Sequence, residues 1–482
     1  MSELNRKIVK ATKWSAITEI IAKLITPITS IILARLLTPE AFGVVTTLSM
    51  VITFAEIFTD AGFQKYLIQH DFVDDLDREQ STNVAFWSNL VMSLFFWLVI
   101  GVFADPLASL VGSPGLGDVL IIACISIPLA AFSSIQIALY KRDLDFSTLF
   151  KVRIIGICIP LIVTIPLAFY LRSYWALVIG TIVSNLANAV LLTFYSKWKP
   201  KLFYSFGKFK EMFSFSAWSV VEAITIWMTG YVDIFIIGTY LNEYYLGLYK
   251  TAITIVGQIM GLVTAATTPI LFSALSRLQN DDRAFAEMFY KFQKLVALLV
   301  IPLGVGIYCY SDIVTIVLGK QWLPASEFIG LWGLTSAVTI VLSHNSSEVY
   351  RSKGRPRLSV LSQFLHLIVL WPVVLIAVKY GFEALYISRS LVRLEGILVN
   401  LILMYALVRF SPLKMLKNIF IPVVASIFMF FVAFLLKLVS TTLAWNIVSI
   451  LICIAVYFAV IYSIPSTRKL LLHFITKKRH SY

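Results

Sequence analysis

Charge is scarce in this chain. Asp, Glu, Lys and Arg together make up 14% of its 482 residues, against about 25% in an ordinary soluble protein. Mean hydropathy is +0.86, and apolar runs of roughly 18 residues or more recur from end to end, each able to span a hydrocarbon core of about 30 Å. A water-soluble fold is excluded, and an all-α integral membrane protein is expected. Cysteine is scarcer still. Cys124, Cys158, Cys309 and Cys453 lie far apart within apolar runs, which excludes a disulfide framework and metal-ligand spacing and leaves small packing residues. The five histidines are scattered, with no HExxH and no pair at ligand spacing. No Walker A motif is present, so an ATPase within the chain is excluded. The segments between apolar runs stay within roughly 20 residues, too short for a soluble catalytic domain of about 50 residues or more. Asp75-Leu-Asp77 and Asp143-Leu-Asp145 match the DxD of metal-dependent glycosyltransferases, but each sits in a small loop and reads as solvated. Neither a cofactor nor a metal is expected.

Basic residues exceed acidic ones, for a net charge of +14, and their positions decide what that surplus means. Hydropathy divides the chain into fourteen spans: 13–37, 41–63, 82–103, 118–140, 150–170, 174–195, 214–239, 245–272, 292–311, 323–342, 358–378, 383–408, 419–438 and 444–463. The first is too long for a signal peptide and has no small-residue cleavage site, so it reads as a retained span. With the N-terminus inside, 31 of the 40 Lys and Arg fall on inner segments or inner span edges. Five (Arg35, Arg172, Lys320, Lys379 and Lys437) mark outer ends, and four (Lys23, Lys250, Arg389 and Arg393) lie within spans. The positive-inside rule then puts both termini in the cytoplasm. The surplus is a topology signal, and no nucleic-acid partner is expected.

The chain also repeats itself. At a shift of 204, "SIILARLLTPEAFG" (30–43) lies on "IFIIGTYLNEYYLG" (234–247) without a gap, and Trp14-Ser15 lies on Trp218-Ser219. Further on, "LVG" (110–112) meets "VLG" (317–319), "LYK" (139–141) meets "VYR" (349–351), and "WALVIG" (175–180) meets "EALYIS" (383–388). A shift of six spans preserves orientation, so the halves are parallel repeats about an axis along the membrane normal. Such repeats place a substrate path at their interface. The expected division is an N-lobe (1–205), a C-lobe (206–410) and two trailing spans with a basic cytoplasmic tail (411–482), the two six-helix lobes flanking a central cavity.

Polar residues inside the spans gather on a few helix faces. Glu19, Lys23, Thr26 and Ser30 share one face of span 1, and Ser49, Thr53, Glu56 and Asp60 share one of span 2. Span 6 carries Thr181, Asn185 and Asn188; span 7 carries Ser219, Glu222, Thr229 and Asp233; span 8 carries Lys250, Thr254, Gly257, Gly261 and Thr264; span 12 carries Arg389, Arg393, Gly396 and Asn400. Inter-helix hydrogen bonds explain many hydroxyls and amides at about 0.6 kcal/mol each. Ionisable residues at this depth more often face a bundle interior or water-filled cavity and mark a pathway. Depth suggests two relations. Asp233 and Lys250 sit near the outer ends of spans 7 and 8 and are expected to pair. Glu19 and Glu56 lie at one depth as like charges, an arrangement suited to one exchangeable proton or sodium ion.

Fourteen spans, a 6+6 duplication and two trailing spans resemble the multidrug/oligosaccharidyl-lipid/polysaccharide (MOP) flippase superfamily. Within it, "ARLLTPEAFG" (34–43) and "DAGFQKYLIQ" (60–69) resemble the polysaccharide transporter branch. "QIALYKRDLDF" (136–146), "FSALSRLQND" (272–281) and "LGKQW" (318–322) are similar to its colanic-acid and teichuronic-acid exporters. The similarity runs over about residues 10–410. It implies a bacterial inner-membrane flippase, not an enzyme, that moves an oligosaccharide repeat unit on undecaprenyl pyrophosphate to the periplasmic leaflet. Rocking lobes and counter-moving H+ or Na+ would drive it, among membrane lipids and beside a polysaccharide polymerase and glycosyltransferases. Lys23, Lys250, Arg389 and Arg393 would bind the pyrophosphate, while Glu19, Glu56, Asp60, Glu222 and Asp233 would handle the coupling ion. One departure stands out: with Glu395, six intramembrane acids face four bases, where the family cavity is expected to be cationic. Two rival readings are a small-molecule antiporter of the same superfamily and a membrane-embedded glycan polymerase or ligase. The latter needs a sizeable outer loop, and the outer segments 171–173 and 240–244 are too short.

Overall fold

Helix dominates, because a chain in hydrocarbon must satisfy its backbone hydrogen bonds internally. The computed structural model describes residues 3–60, 62–355, 357–465 and 467–468. Among them are fourteen helices long and apolar enough to cross a membrane. They are α1 (Glu3–Leu36), α2 (Pro39–Asp60), α3 (Asp75–Val102), α4 (Gly117–Arg142), α5 (Phe146–Leu171), α6 (Trp175–Tyr195), α7 (Phe206–Tyr240), α8 (Glu243–Arg277), α9 (Asp282–Cys309), α10 (Lys320–Ser352), α11 (Arg357–Tyr380), α12 (Phe382–Val408), α13 (Pro412–Val439) and α14 (Leu443–Ser463). The basic tail beyond residue 468 lies outside the described residues.

The fourteen helices fall where hydropathy put the spans, but several begin earlier. The third, expected from 82, starts at Asp75, and the ninth, expected from 292, starts at Asp282. Hydropathy marks the part of a helix in hydrocarbon, whereas the helix itself begins at its cap. Asp74 accepts from the Asp77 N–H and Asp281 accepts from the Arg283 and Ala284 N–H groups. Ser411 caps α13, with Pro412 in the first turn. The DxD-like aspartates are used in the same structural way. Asp143 pairs with Arg78 at 2.8 Å, Asp77 pairs with Lys208, and Asp145 caps α5. Although burial works against it, hydrogen bonds from Ser147 and Thr148 hold the Asp145 carboxyl below the usual range.

The contacts divide the chain into two units. One comprises Met1–Thr251 with Val374–Phe382. In it α1 packs on α5, α4 packs between α3 and α6, and α2 packs on α7, α3 and α4. α5 widens into a π turn at Pro160–Thr164, closed by the Ile165 N–H donating to the Pro160 carbonyl. The other unit comprises Ala252–Val373 with Glu383–Tyr482. There α9 packs on α10 and α13, and α13 on α14. Ala425, Met429, Cys453 and Tyr457 form a buried cluster with Leu298 and Tyr310. Cys124 and Cys453 are buried among apolar side chains, and all four cysteines are free.

Within the first unit, α2 and α8 cross at van der Waals contact. A Cβ on Gly43 would lie 1.9 Å from the Glu243 carbonyl oxygen, and one on Gly247 would lie 1.8 Å from that of Pro39. The contacts are reciprocal: at the shift of 204, Pro39 falls on Glu243 and Gly43 on Gly247.

Candidate functional site

Ionisable groups of α11 and α12 gather against side chains of α10 in the second unit. Arg393 donates from Nη1 to Ser336 Oγ at 2.7 Å and Thr335 Oγ1 at 3.4 Å. Its guanidinium lies 4.0 Å from the Trp332 ring centroid. Arg389, one turn earlier and buried, lies 5.2 Å from the same ring. One indole thus carries two guanidiniums, an attraction of about 0.5–2 kcal/mol each depending on desolvation. Two residues past Arg393 on α12, Glu395 is hydrogen-bonded to His366 Nδ1 of α11 at 2.8 Å. Asn400 donates to Ser343 Oγ at 2.9 Å and accepts from the Tyr350 hydroxyl at 3.0 Å. Trp332, Gln363, His366, Arg389, Arg393 and Asn400 line a cavity of about 260 Å³. Chemically, it offers planar cations held in fixed orientation beside amide and hydroxyl groups.

The acids and remaining bases lie in the first unit. Glu222 of α7 meets Lys65 at 3.2 Å, both side chains partly exposed. Lys65 belongs to the short helix Phe63–Gln69 that follows α2. Asp60 accepts from the Ser134 hydroxyl at 3.3 Å, and that hydroxyl accepts from Gln64 at 3.1 Å and Asn89 at 3.2 Å. Glu56 lies one turn before Asp60, half-buried, with no ion pair among the described residues. Asp233 is buried, with the Tyr249 hydroxyl donating to it at 2.6 Å. Lys250 lies 5.3 Å from the Tyr231 ring centroid. The helices expected to bring Asp233 and Lys250 together do bring their segments together: Tyr249 donates to the carboxylate, and Lys250 lies within reach of its charge. Glu19 is exposed and Lys23 half-buried, and neither forms an ion pair among the described residues. Their helix packs chiefly on α5, and Asp60, not Glu19, is the carboxylate whose charge acts on Glu56.

Three groups of this constellation are missed by hydropathy and charge counting. Lys65 falls past the end of the second apolar run and counts with a loop. His366 carries no formal charge in such a count. Trp332 reads as an ordinary apolar residue. Lys65 supplies a cation to one of the six acids, and His366 hydrogen-bonds a second. Among the described residues, no three His, Cys, Asp or Glu side chains gather in a metal-binding group.

Known proteins carry the same sequence pattern and fold. The family model described as "Polysaccharide biosynthesis protein" matches residues 32–327, more than half of the chain. The chain belongs to this family. Among curated proteins similar to it, the succinoglycan biosynthesis transport protein ExoT of Rhizobium meliloti is 24% identical over 64% of this chain and 62% of its own length. The teichuronic acid biosynthesis protein TuaB of Bacillus subtilis is 22% identical over 74% of each chain. Among solved structures, the lipid II flippase MurJ in an inward closed conformation superposes with a TM-score of 0.77 at 16% identity, covering 95% of this chain and 100% of that one. That likeness establishes a multi-pass membrane transporter fold, in agreement with the fourteen spans of this family member.

Proposed function

We propose that this protein is a flippase for a lipid-linked oligosaccharide. It carries a repeat unit on undecaprenyl pyrophosphate from the cytoplasmic to the periplasmic leaflet of a bacterial inner membrane, for surface polysaccharide synthesis. The observation that carries the reading is the Arg389–Arg393 pair over Trp332 in a cavity inside the membrane-spanning region. A pyrophosphate is planar-fork chemistry: each guanidinium can meet two oxygens at once, which an ammonium cannot. Membership of the polysaccharide family and the names of ExoT and TuaB support the glycan part. The termini lie in the cytoplasm, the lobes are 1–205 and 206–410, and alternate rocking exposes the cargo to either side. A proton or sodium gradient drives the cycle through the acids of α2. Polymerase and glycosyltransferases act before and after it.

The test is reconstitution. Purified protein in proteoliposomes, given a fluorescent or enzyme-accessible lipid-linked repeat unit, is expected to equilibrate it between leaflets, faster under an imposed ion gradient. Export of cationic drugs with no movement of the lipid would overturn the reading in favour of a small-molecule antiporter.

A further inference from the structure

Unit one contains a cavity that the proposed function leaves unused. It lies between α1, α5 and α6, has a volume of about 400 Å³, and is lined by Thr26, Ser30, Thr181, Ser184, Asn185 and Asn188. No carboxylate and no aromatic ring borders it, and its one cation is Arg153. Asn185 and Asn188 stand mid-span on α6 with no hydrogen-bond partner among the described residues. An amide left unpaired in hydrocarbon is strongly unfavourable, so two of them facing one cavity point to water or a polar ligand.

The walls are shaped to keep the space open and polar. Asn188 looks across at Gly156, where a Cβ would stand 3.3 Å from its Oδ1. Gly180 admits the π turn of α5 so closely that a Cβ there would lie 2.1 Å from Thr164 Oγ1. That turn puts the Thr164 hydroxyl on the cavity wall, and π turns of this kind recur at functional sites. Amides and hydroxyls are both donors and acceptors. An organic cation would find no counter-charge here, and neither would a coupling proton or sodium ion find a carboxylate. A pyrophosphate would find one arginine. A ligand that both donates and accepts at several points, without charge, is a sugar.

We propose that the α1–α5–α6 cavity is the glycan subsite of the transporter, reading hydroxyls of the repeat unit. This rests on the flippase reading above, and the experiment separates the two. Two probes are titrated onto the purified full-length protein: undecaprenyl pyrophosphate without sugar, and the lipid-linked repeat unit extracted from the producing strain. Asn185→Leu with Asn188→Leu keeps side-chain size and removes the polar groups. It is expected to weaken binding of the sugar-bearing lipid about ten-fold or more while changing the bare lipid by less than about two-fold. Thr181→Val, a smaller change, is expected to act in the same direction, guarding against a misfolded double variant. Equal loss for both lipids, or no loss for either, overturns the glycan subsite. Failure of the wild type to bind either lipid overturns the flippase reading instead.

Discussion

Replacing Gly43 by alanine attacks the crossing of α2 and α8 at its tightest point. The new Cβ would sit 1.9 Å from the Glu243 carbonyl oxygen, where real contacts do not fall below 3.0 Å. That oxygen is backbone, which has no rotamer to yield, so the helices must part by at least about 1 Å, and overpacking of this kind costs about 1–3 kcal/mol. Both contacts lie at the ends of α2 and α8 assigned to the outer side. If transport requires this end to open, the cost falls on the closed state alone and shifts the equilibrium about 5- to 150-fold toward the open one. Leu246, 1% exposed beside Gly247, reports on it. In a background with the four native cysteines changed to serine, Leu246→Cys should react slowly with an impermeant thiol reagent added outside, and at least about five-fold faster with Gly43→Ala. Gly247→Ala should act alike, and the double variant should add less than the sum, because both press on one crossing. An unchanged labelling rate in a protein that melts at the wild-type temperature would refute both the close approach and its role.

Three further outcomes follow from the geometry. Cysteines at exposed Lys210 and Gly354 should be shielded from the same reagent in intact cells, and one at exposed Thr441 should be labelled. Arg393→Lys should cut flipping by about ten-fold with normal expression, since lysine loses the fork that reaches Ser336 and Thr335 and the flat stack on Trp332; wild-type flipping would reassign the pair to structure. Glu56→Gln should abolish the response of flipping to an imposed pH or sodium gradient, whereas Glu222→Gln should leave it, because Glu222 already has Lys65 and Glu56 has no cation among the described residues; the reverse result, read in proteoliposomes, would move coupling to α7.

The number and position of the helices were legible because the bilayer imposes one strong rule on composition, about twenty apolar residues per crossing. Which side chains meet was much less so. Depth can be counted from a span's end, but rotation and tilt come from packing against neighbours. Asp233 and Lys250 were matched by depth, and depth alone could not say that the Tyr249 hydroxyl would also donate to the carboxylate. Glu19 and Glu56 also share a depth, yet α1 packs chiefly on α5 and α2 on α7, and Glu56 feels the charge of Asp60 instead. Lys65 shows a different limit: the chain folds back after α2 into a seven-residue helix, and a residue counted as loop returns opposite Glu222.

The duplication is the feature for which sequence and structure strengthen each other. In the alignment, Gly43 on Gly247 is one weak identity among several. In the structure those two glycines abut, and each meets the residue that the shift assigns to the other's partner: Gly43 meets Glu243, and Gly247 meets Pro39. A contact in which i touches j′ and i′ touches j is what a two-fold axis requires of a self-complementary surface. Chance similarity between two apolar helices has no reason to produce it. A glycine at 43 is therefore constrained by its own repeat image at 247, which explains why both positions lack a side chain.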